Sequence, residues 1–265
     1  MTQPKLTVII SYYKALDKKK IILKALNNQS VQDFEVIISK DDNNELTTDF
    51  YNQNQSNYNF SLLHIHQKED NGFQKNKVLN RSILAANSDL LAFIDGDCVP
   101  HRHFVKAYVD NMKTGFYYPG RAVFLSAETS EKLVKNQDLK QLEFANLLFA
   151  KTEKLRDGIY SPKLRLSYKF RGIVGRNWGI PKQHLLDING FDEDYILAGV
   201  GEDIDIEWRL RANGLDKKSV KNKAIVYHIF HPKNYSEADV QKNLVVFEAK
   251  KKLGNIRCLN GIERL

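Results

Sequence analysis

Residues 90 to 100 read LLAFIDGDCVP, and no other stretch of the chain restricts its fold as much. An apolar run of this kind is the pattern of a strand buried in a sheet, yet it ends on two carboxylates, Asp95 and Asp97, with only Gly96 between them. Burying even one unpaired carboxylate is expensive, so this strand must end where something positive meets it. Carboxylates two apart point to the same side of an extended chain, and a glycine between them lets the backbone turn tightly. Hard oxygen ligands so placed suit magnesium or manganese, above all where a ligand's phosphates complete the coordination. Acid-x-acid alone is a weak signal; its position at the end of a buried strand gives it weight.

The rest of the first half supplies the sheet. LTVIIS (6–11), FEVIIS (34–39), the short run 62–66 and the run 89–94 read as strands, with helices expected over 17–28 and 76–86. Asp17 is the candidate N-cap of the first helix. The Asn/Gln-rich stretch 43–59 reads as loop with a short helix. Strand, helix, strand, helix is the cadence of a parallel sheet with crossovers, and ligands sit beyond the carboxyl ends of such strands. Three of those ends carry Ser11-Tyr12-Tyr13, Asp41-Asp42 and Asp95-Gly96-Asp97. Any one of them is explained by Asp and Gly as turn formers; three converging ends imply a site.

The second half changes character. Lysines alternate with leucines over 126–170, the pattern of one or two amphipathic helices. In NGFDEDYILAGVGEDIDIEWRL (189–210), Asn189-Gly190 marks a turn, and Glu202, Asp203 and Asp205 open a helix expected to turn Ile204, Trp208 and Leu210 inward. Acids at a helix start either cap it or, beside a glycine-rich approach, include a general base. YHIFHP (227–232) places His228 and His231 after a short strand over 224–227, where either can complete a metal site with nitrogen.

Composition narrows the classes. A length of 265 residues allows one substantial domain, and 42% hydrophobic with 27% charged residues describes a soluble globular chain. The first residues lack the order of a secretory signal, and no apolar run approaches the roughly 20 residues of a spanning helix. Cys98 and Cys258 are far apart with no CxxC spacing, so a reducing cytoplasm is the expected location. A net charge of +8 suits nucleic acid, an anionic membrane face or phosphorylated ligands; the lysines are dispersed and no nucleic-acid motif is present, which argues against the first.

Taken together and in order, VIISYYK, FEVIISKDDNN, EDNGFQKNKVLNRSILAANSDLLAFIDGDCVPHRHFV, GRNWGIPKQHLLDINGFDEDY, VGEDIDIEWRLRANG and VYHIFHP resemble the family 2 glycosyltransferases. The later half is also similar to the C-terminal region of the metal-dependent galactosyltransferases. The resemblance covers most of residues 6 to 235 and is weakest over 122–170. It implies an α/β GT-A fold with a mostly parallel central sheet flanked by helices. A single domain over 1–265 is expected: a nucleotide-binding half over about 1–100, an acceptor half over about 101–235, and a helical tail over about 236–265.

What the resemblance implies for individual residues is specific. Ser11 and Tyr12 line the nucleotide pocket, and Asp41 or Asp42 meets the uracil ring. Lys77 and Asn80 occupy the family's basic-then-Asn helix, although Leu79 stands where an Arg is usual. Asp95 serves the ribose and the metal side, Asp97 and His228 ligate manganese or magnesium, and His231 is the runner-up ligand. Asn177 and Trp178 belong to the sugar pocket. Asp203 is the base, and Glu202 meets the donor sugar or the acceptor.

The activity implied is inverting transfer from a UDP-sugar to a hydroxyl of a glycan or lipid-linked glycan, in surface polysaccharide or lipopolysaccharide synthesis. A nucleotidyltransferase is the alternative enzyme, though its glycine-rich loop is missing from SYYKALDKKK. A non-catalytic sugar-nucleotide-binding protein is the other alternative, and both acidic motifs are intact. The segment 131–165 carries a separate expectation, peripheral contact with an anionic membrane face.

Overall fold

The computed structural model describes residues 3–13, 16–42, 44–67, 72–163, 171–201, 203–232 and 236–264. Alternation along the strands explains its layers. In β1 (Thr7–Tyr12), Val8 and Ile10 enter one apolar core while Ile9, between them, enters a second on the other face. Ile21, Ile22 and Leu26 of α1 (Leu16–Asn27) cover the first face. β2 (Glu35–Lys40) repeats the alternation, with Val36 and Ile38 on one side and Ile37 on the other.

Then come α2 (Glu45–Asn54), β3 (Ser61–His66), α3 (Lys75–Ala85) and β4 (Leu90–Asp95). Leu79 and Ile83 of α3 close the second face. β1 pairs in parallel with both β2 and β4, and β2 with β3, so their carboxyl ends share one edge, as the sequence implies. α2 is longer than the short helix expected within the loop, and the Asn44 side chain caps it by accepting from Thr47 N.

Beyond β4 the chain adds β5 (Cys98–Pro100), α4 (Phe104–Asn111), β6 (Phe116–Pro119), β7 (Arg121–Phe124), α5 (Ala127–Asn136), α6 (Phe144–Leu148), β8 (Asn177–Pro181), α7 (Lys182–Asp187), α8 (Ile204–Ala212), β9 (Asp216–Lys217), β10 (Ile225–His228) and α9 (Glu237–Leu253). β8 lies antiparallel between β4 and β6, giving a seven-stranded sheet in the order β3-β2-β1-β4-β8-β6-β9. A three-stranded sheet, β5-β10-β7, stands beside it.

Two expectations are sharpened. Residues 126–163 hold two helices, of which α5 ends at Gln137 in the left-handed conformation (φ 53°) and α6 is a single short turn of chain among 3-10 turns. Leu133, Leu142 and Leu147 are buried while Leu148 is 56% exposed, so the leucines do not share one continuous stripe. In α8, Ile204 faces outward at 44% exposure. Because the helix begins there, Ile206 and Leu210 form its inward pair. Trp208 packs instead against Phe247 of α9, ring centroids 6.0 Å apart.

Candidate active site

The small sheet exists where the acidic turn needs it. β10 pairs antiparallel with β5, His228 opposite Cys98, and parallel with β7, His228 beside Phe124. Ile229 N donates to Asp97 O (2.9 Å) and Phe230 N to Ser130 Oγ (2.8 Å), which fixes the path of the chain past β10. Two histidines three residues apart are thereby brought to one carboxylate. His231 Nε2 lies 2.8 Å from Asp97 Oδ2, and His228 Nε2 lies 3.7 Å from Asp97 Oδ1. One donor atom from each of the three falls within 4.8 Å of the others.

Electrostatics prepares the set. Burial raises the Asp97 pKa, but the hydrogen bond from His231 and the charges of His228 and His231 outweigh it and hold the carboxyl below its ordinary range. Burial lowers His228, while the bond to Asp97 raises His231. A carboxylate already ionised and an imidazole kept neutral are the forms that ligate metal. Two nitrogens and one carboxylate suit a divalent transition ion such as manganese better than magnesium, which prefers an all-oxygen shell. The residues present fit the cation that the acidic turn calls for, with His231 in the set and Asp95 outside it.

Asp95 belongs to a second group. Its Oδ1 accepts from Ser11 Oγ (2.9 Å) and Lys75 Nζ (3.1 Å). Lys75, which the sequence did not single out, thus meets the acidic turn, whereas Lys77 lies half-buried farther along α3. Ser11, Lys75 and Gly175 line one narrow cleft with Trp178 and Phe191 in its wall. Below the turn, Lys19 of α1 is fully buried with its ammonium 4.5 Å from the Tyr12 ring centroid. Gly96 is required here, because a Cβ at that position would stand 2.3 Å from Lys19 Nζ and 2.6 Å from Ser11 O. Burial brings Lys19 down to about 7, against the raising pull of Asp97 and Asp95. Tyr12 is itself buried, its hydroxyl 3.1 Å from Thr47 Oγ1.

The two aspartates after β2 part company. Asp42 forms a buried ion pair with Lys40 (3.1 Å) and accepts from Asn44 N. Asp41 accepts from Gln67 Nε2 (2.8 Å) and from Gln74 N at the start of α3 (3.0 Å).

The acids of 189–205 mostly hold the fold. Asp205 pairs with Arg209 at 2.7 Å, both side chains 1% exposed, and accepts from Tyr195 OH. Arg209 also donates to Ile188 O and Gly190 O, tying α8 to the turn before it. Lys250 of α9 holds Asp192 and Asp194, each at 2.5 Å. Asn80 is fully buried; it donates to Phe191 O and Glu193 Oε1 and accepts from Phe191 N, so it fastens this loop to α3. Asn177 is likewise enclosed, accepting from Tyr108 OH (2.6 Å) and donating to Arg121 O and Ala224 O. Trp178 stacks on Phe93 in the core, centroids 4.6 Å apart. Asp203 caps α8 through Ile204 N (2.8 Å) and remains partly exposed. Glu202 lies outside the described residues.

An α/β sheet with acidic strand ends at one edge, a histidine-flanked carboxylate beside them and a glycine-rich acidic loop opening a helix defines the GT-A class. The chain belongs to glycosyl transferase family 2, whose profile matches residues 7–185, and the profile of the N-terminal domain of galactosyltransferase matches residues 157–232. Chondroitin synthase of Escherichia coli is 27% identical over 261 residues, 91% of this chain and 37% of that protein. Among solved structures, the mannosyltransferase PcManGT of Pyrobaculum calidifontis, in complex with GDP-Man and Mn2+, superimposes with a TM-score of 0.61 at 14% identity over 94% of this chain and 64% of its own. GalNAc-T7 with UDP, GalNAc and Mn2+ gives a TM-score of 0.67 at 11% identity over 94% and 48%. The chain thus spans well under half of the curated relative, and the structural likenesses carry the fold. No helix among the described residues is long and apolar enough to cross a membrane.

Proposed function

We propose that the protein transfers a sugar from a UDP-sugar to a hydroxyl of a glycan acceptor with inversion, using manganese held by Asp97, His228 and His231. The observation that carries this reading is the convergence of those three donors beside the strand ends of the nucleotide half. A divalent ion bound there supplies positive charge against the diphosphate that leaves. Asp41 is the aspartate assigned to the base, since Asp42 is taken up by Lys40. Ser11 and Asp95 face the ribose side, and Lys75 adds a cation at the same edge.

At the other end of the reaction, Asp203 accepts the proton of the attacking hydroxyl, with Glu202 beside it in sequence meeting donor sugar or acceptor. One base and one displacement invert the anomeric centre, through an oxocarbenium-like transition state of the kind known in glycoside chemistry. Asn80, Asn177 and Trp178 serve this site indirectly, by holding the loop and strands around it. The galactosyltransferase likeness and the chondroitin synthase relative favour galactose or N-acetylgalactosamine as the sugar. A lipid-linked acceptor in surface polysaccharide synthesis agrees with both.

The test is a panel of UDP-sugars with an acceptor series, with and without manganese. Release of UDP that requires manganese and disappears in Asp97→Asn is expected; no turnover of any UDP-sugar defeats the reading. Peripheral membrane contact is a second reading of 131–165, favoured by Phe149 at 92% exposure beside exposed Leu148 and Phe144. Sedimentation with liposomes containing phosphatidylglycerol should fall in Phe149→Ser; equal sedimentation of the two proteins defeats it.

A further inference from the structure

Next to the metal-binding set stand two cations that the proposed mechanism leaves unused. Phe124 lies beside His228, ring centroids 5.1 Å apart, at the end of β7. Its backbone exchanges hydrogen bonds with Glu153 (3.1 and 2.9 Å), which brings the next residue over the ring: Lys154 Nζ is 4.1 Å from the centroid. Lys154 is held in the left-handed conformation, φ 56°, an uncommon state for a residue with a side chain. From the turn before β8, Arg176 reaches the same ring, its Cζ 5.0 Å from the centroid. Arg176 Nε is buried without a hydrogen-bond partner. Among the described residues, neither Arg176 nor Lys154 has a carboxylate within ion-pair distance.

Cation–π contact accounts for part of this arrangement but leaves the Arg176 N–H unsatisfied, and a buried donor of a charged group is costly to leave unmade. A divalent ion on the neighbouring triad adds to the local positive charge. An anion that joins such a concentration relieves its repulsion beyond what Asp97 and Asp95 already do, and a guanidinium fork suits a phosphate or carboxylate best.

We propose that Arg176 and Lys154, mounted on Phe124, form an oxyanion subsite adjoining the metal triad. It rests on the reading of the triad as the donor site. The ligand is an oxyanion of the nucleotide sugar, either the β-phosphate that bears the sugar or a carboxylate on its sugar ring. Phe124 positions the two cations through its ring, and the turn at Gly175 delivers Arg176.

The experiment is calorimetric titration of the full chain and of Arg176→Gln, Lys154→Gln and Arg176→Lys, in manganese, with UMP, UDP, UDP-glucose and UDP-glucuronate. Thermal unfolding of each variant checks that it is folded. At least tenfold weaker binding by Arg176→Gln, a smaller loss for Lys154→Gln and partial recovery in Arg176→Lys are expected. A loss seen with UDP but not UMP assigns the phosphate. A loss confined to UDP-glucuronate assigns the carboxylate. Wild-type affinity of folded Arg176→Gln for all four ligands overturns the subsite while leaving the donor site standing. Absence of UDP binding by the wild-type protein defeats the donor site, and the subsite falls with it.

Discussion

The acidic turn at 95–97 and the acidic loop at 192–205 look alike as sequence and differ as structure. In the loop, Asp192 and Asp194 are held by Lys250 of α9, and Asp205 by Arg209 one turn on in the same helix. At the turn, Asp97 meets two imidazoles, and Asp95 meets a hydroxyl and Lys75 at the mouth of a cleft. A carboxylate whose partner is a buried arginine is part of the scaffold; one whose partners are imidazoles, a hydroxyl and a part-exposed lysine is placed to take part in chemistry. The acids are the same, and the partners decide.

This contrast can be broken by substitution. The largest effect is expected for Asp97→Asn: at least a thousandfold loss of manganese-dependent turnover, about 4 kcal/mol, with the circular dichroism spectrum of the folded chain retained. Next, Asp205→Asn should cost about 3 kcal/mol in denaturant unfolding, because it leaves Arg209 buried without its counter-charge, while manganese affinity stays at the wild-type level. If Asp97→Asn proved the more destabilising and Asp205→Asn the more harmful to metal binding, the two regions would have to exchange roles. Asn80→Ala should cost about 2 kcal/mol by the same measurement, since Phe191 and its loop lose three hydrogen bonds.

The smallest effect sharpens the same contrast for histidines. His101 lies away from the triad, its ring 5.2 Å from that of Tyr160, and burial lowers it to about 4 from an ordinary 6.5. The unfolded chain therefore takes up this proton first as pH falls. Stability carried by neutral His101 is present above pH 6.5 and is lost between 6.5 and 4. After allowance for partial solvent access, the loss is about 1 kcal/mol at pH 5. His101→Gln should flatten that part of the stability profile; an unchanged slope would show that His101 remains solvated.

Much of the first half is legible because β1 and β2 are β-branched runs and β4 an apolar one, each six residues long with acids or hydroxyls at its end. Strands of three or four residues, such as β5 and β7, carry no period that a sequence reader can detect. That is why the sheet that delivers His228 was not foreseen while the histidine itself was. Between His228 and His231 spacing alone does not decide, because it cannot report that the chain past β10 is held to Asp97 by the Ile229 amide. Lys75 and Arg176 lie within family-like stretches that give them no role, and Lys19 lies in none; their enclosure and their distances mark them. Ile204 was misplaced for a simpler reason, a helix register set by where Asp203 caps it.

About half of the chain separates Asp97 from His228, and the Ile229–Asp97 backbone bond closes that span. The cost of closing so long a loop falls late in folding, after the local turns and hairpins have formed. The two halves of the triad therefore meet late: a nascent polypeptide stalled short of residue 231 already displays its strand edges while Asp97 still lacks both of its imidazole neighbours.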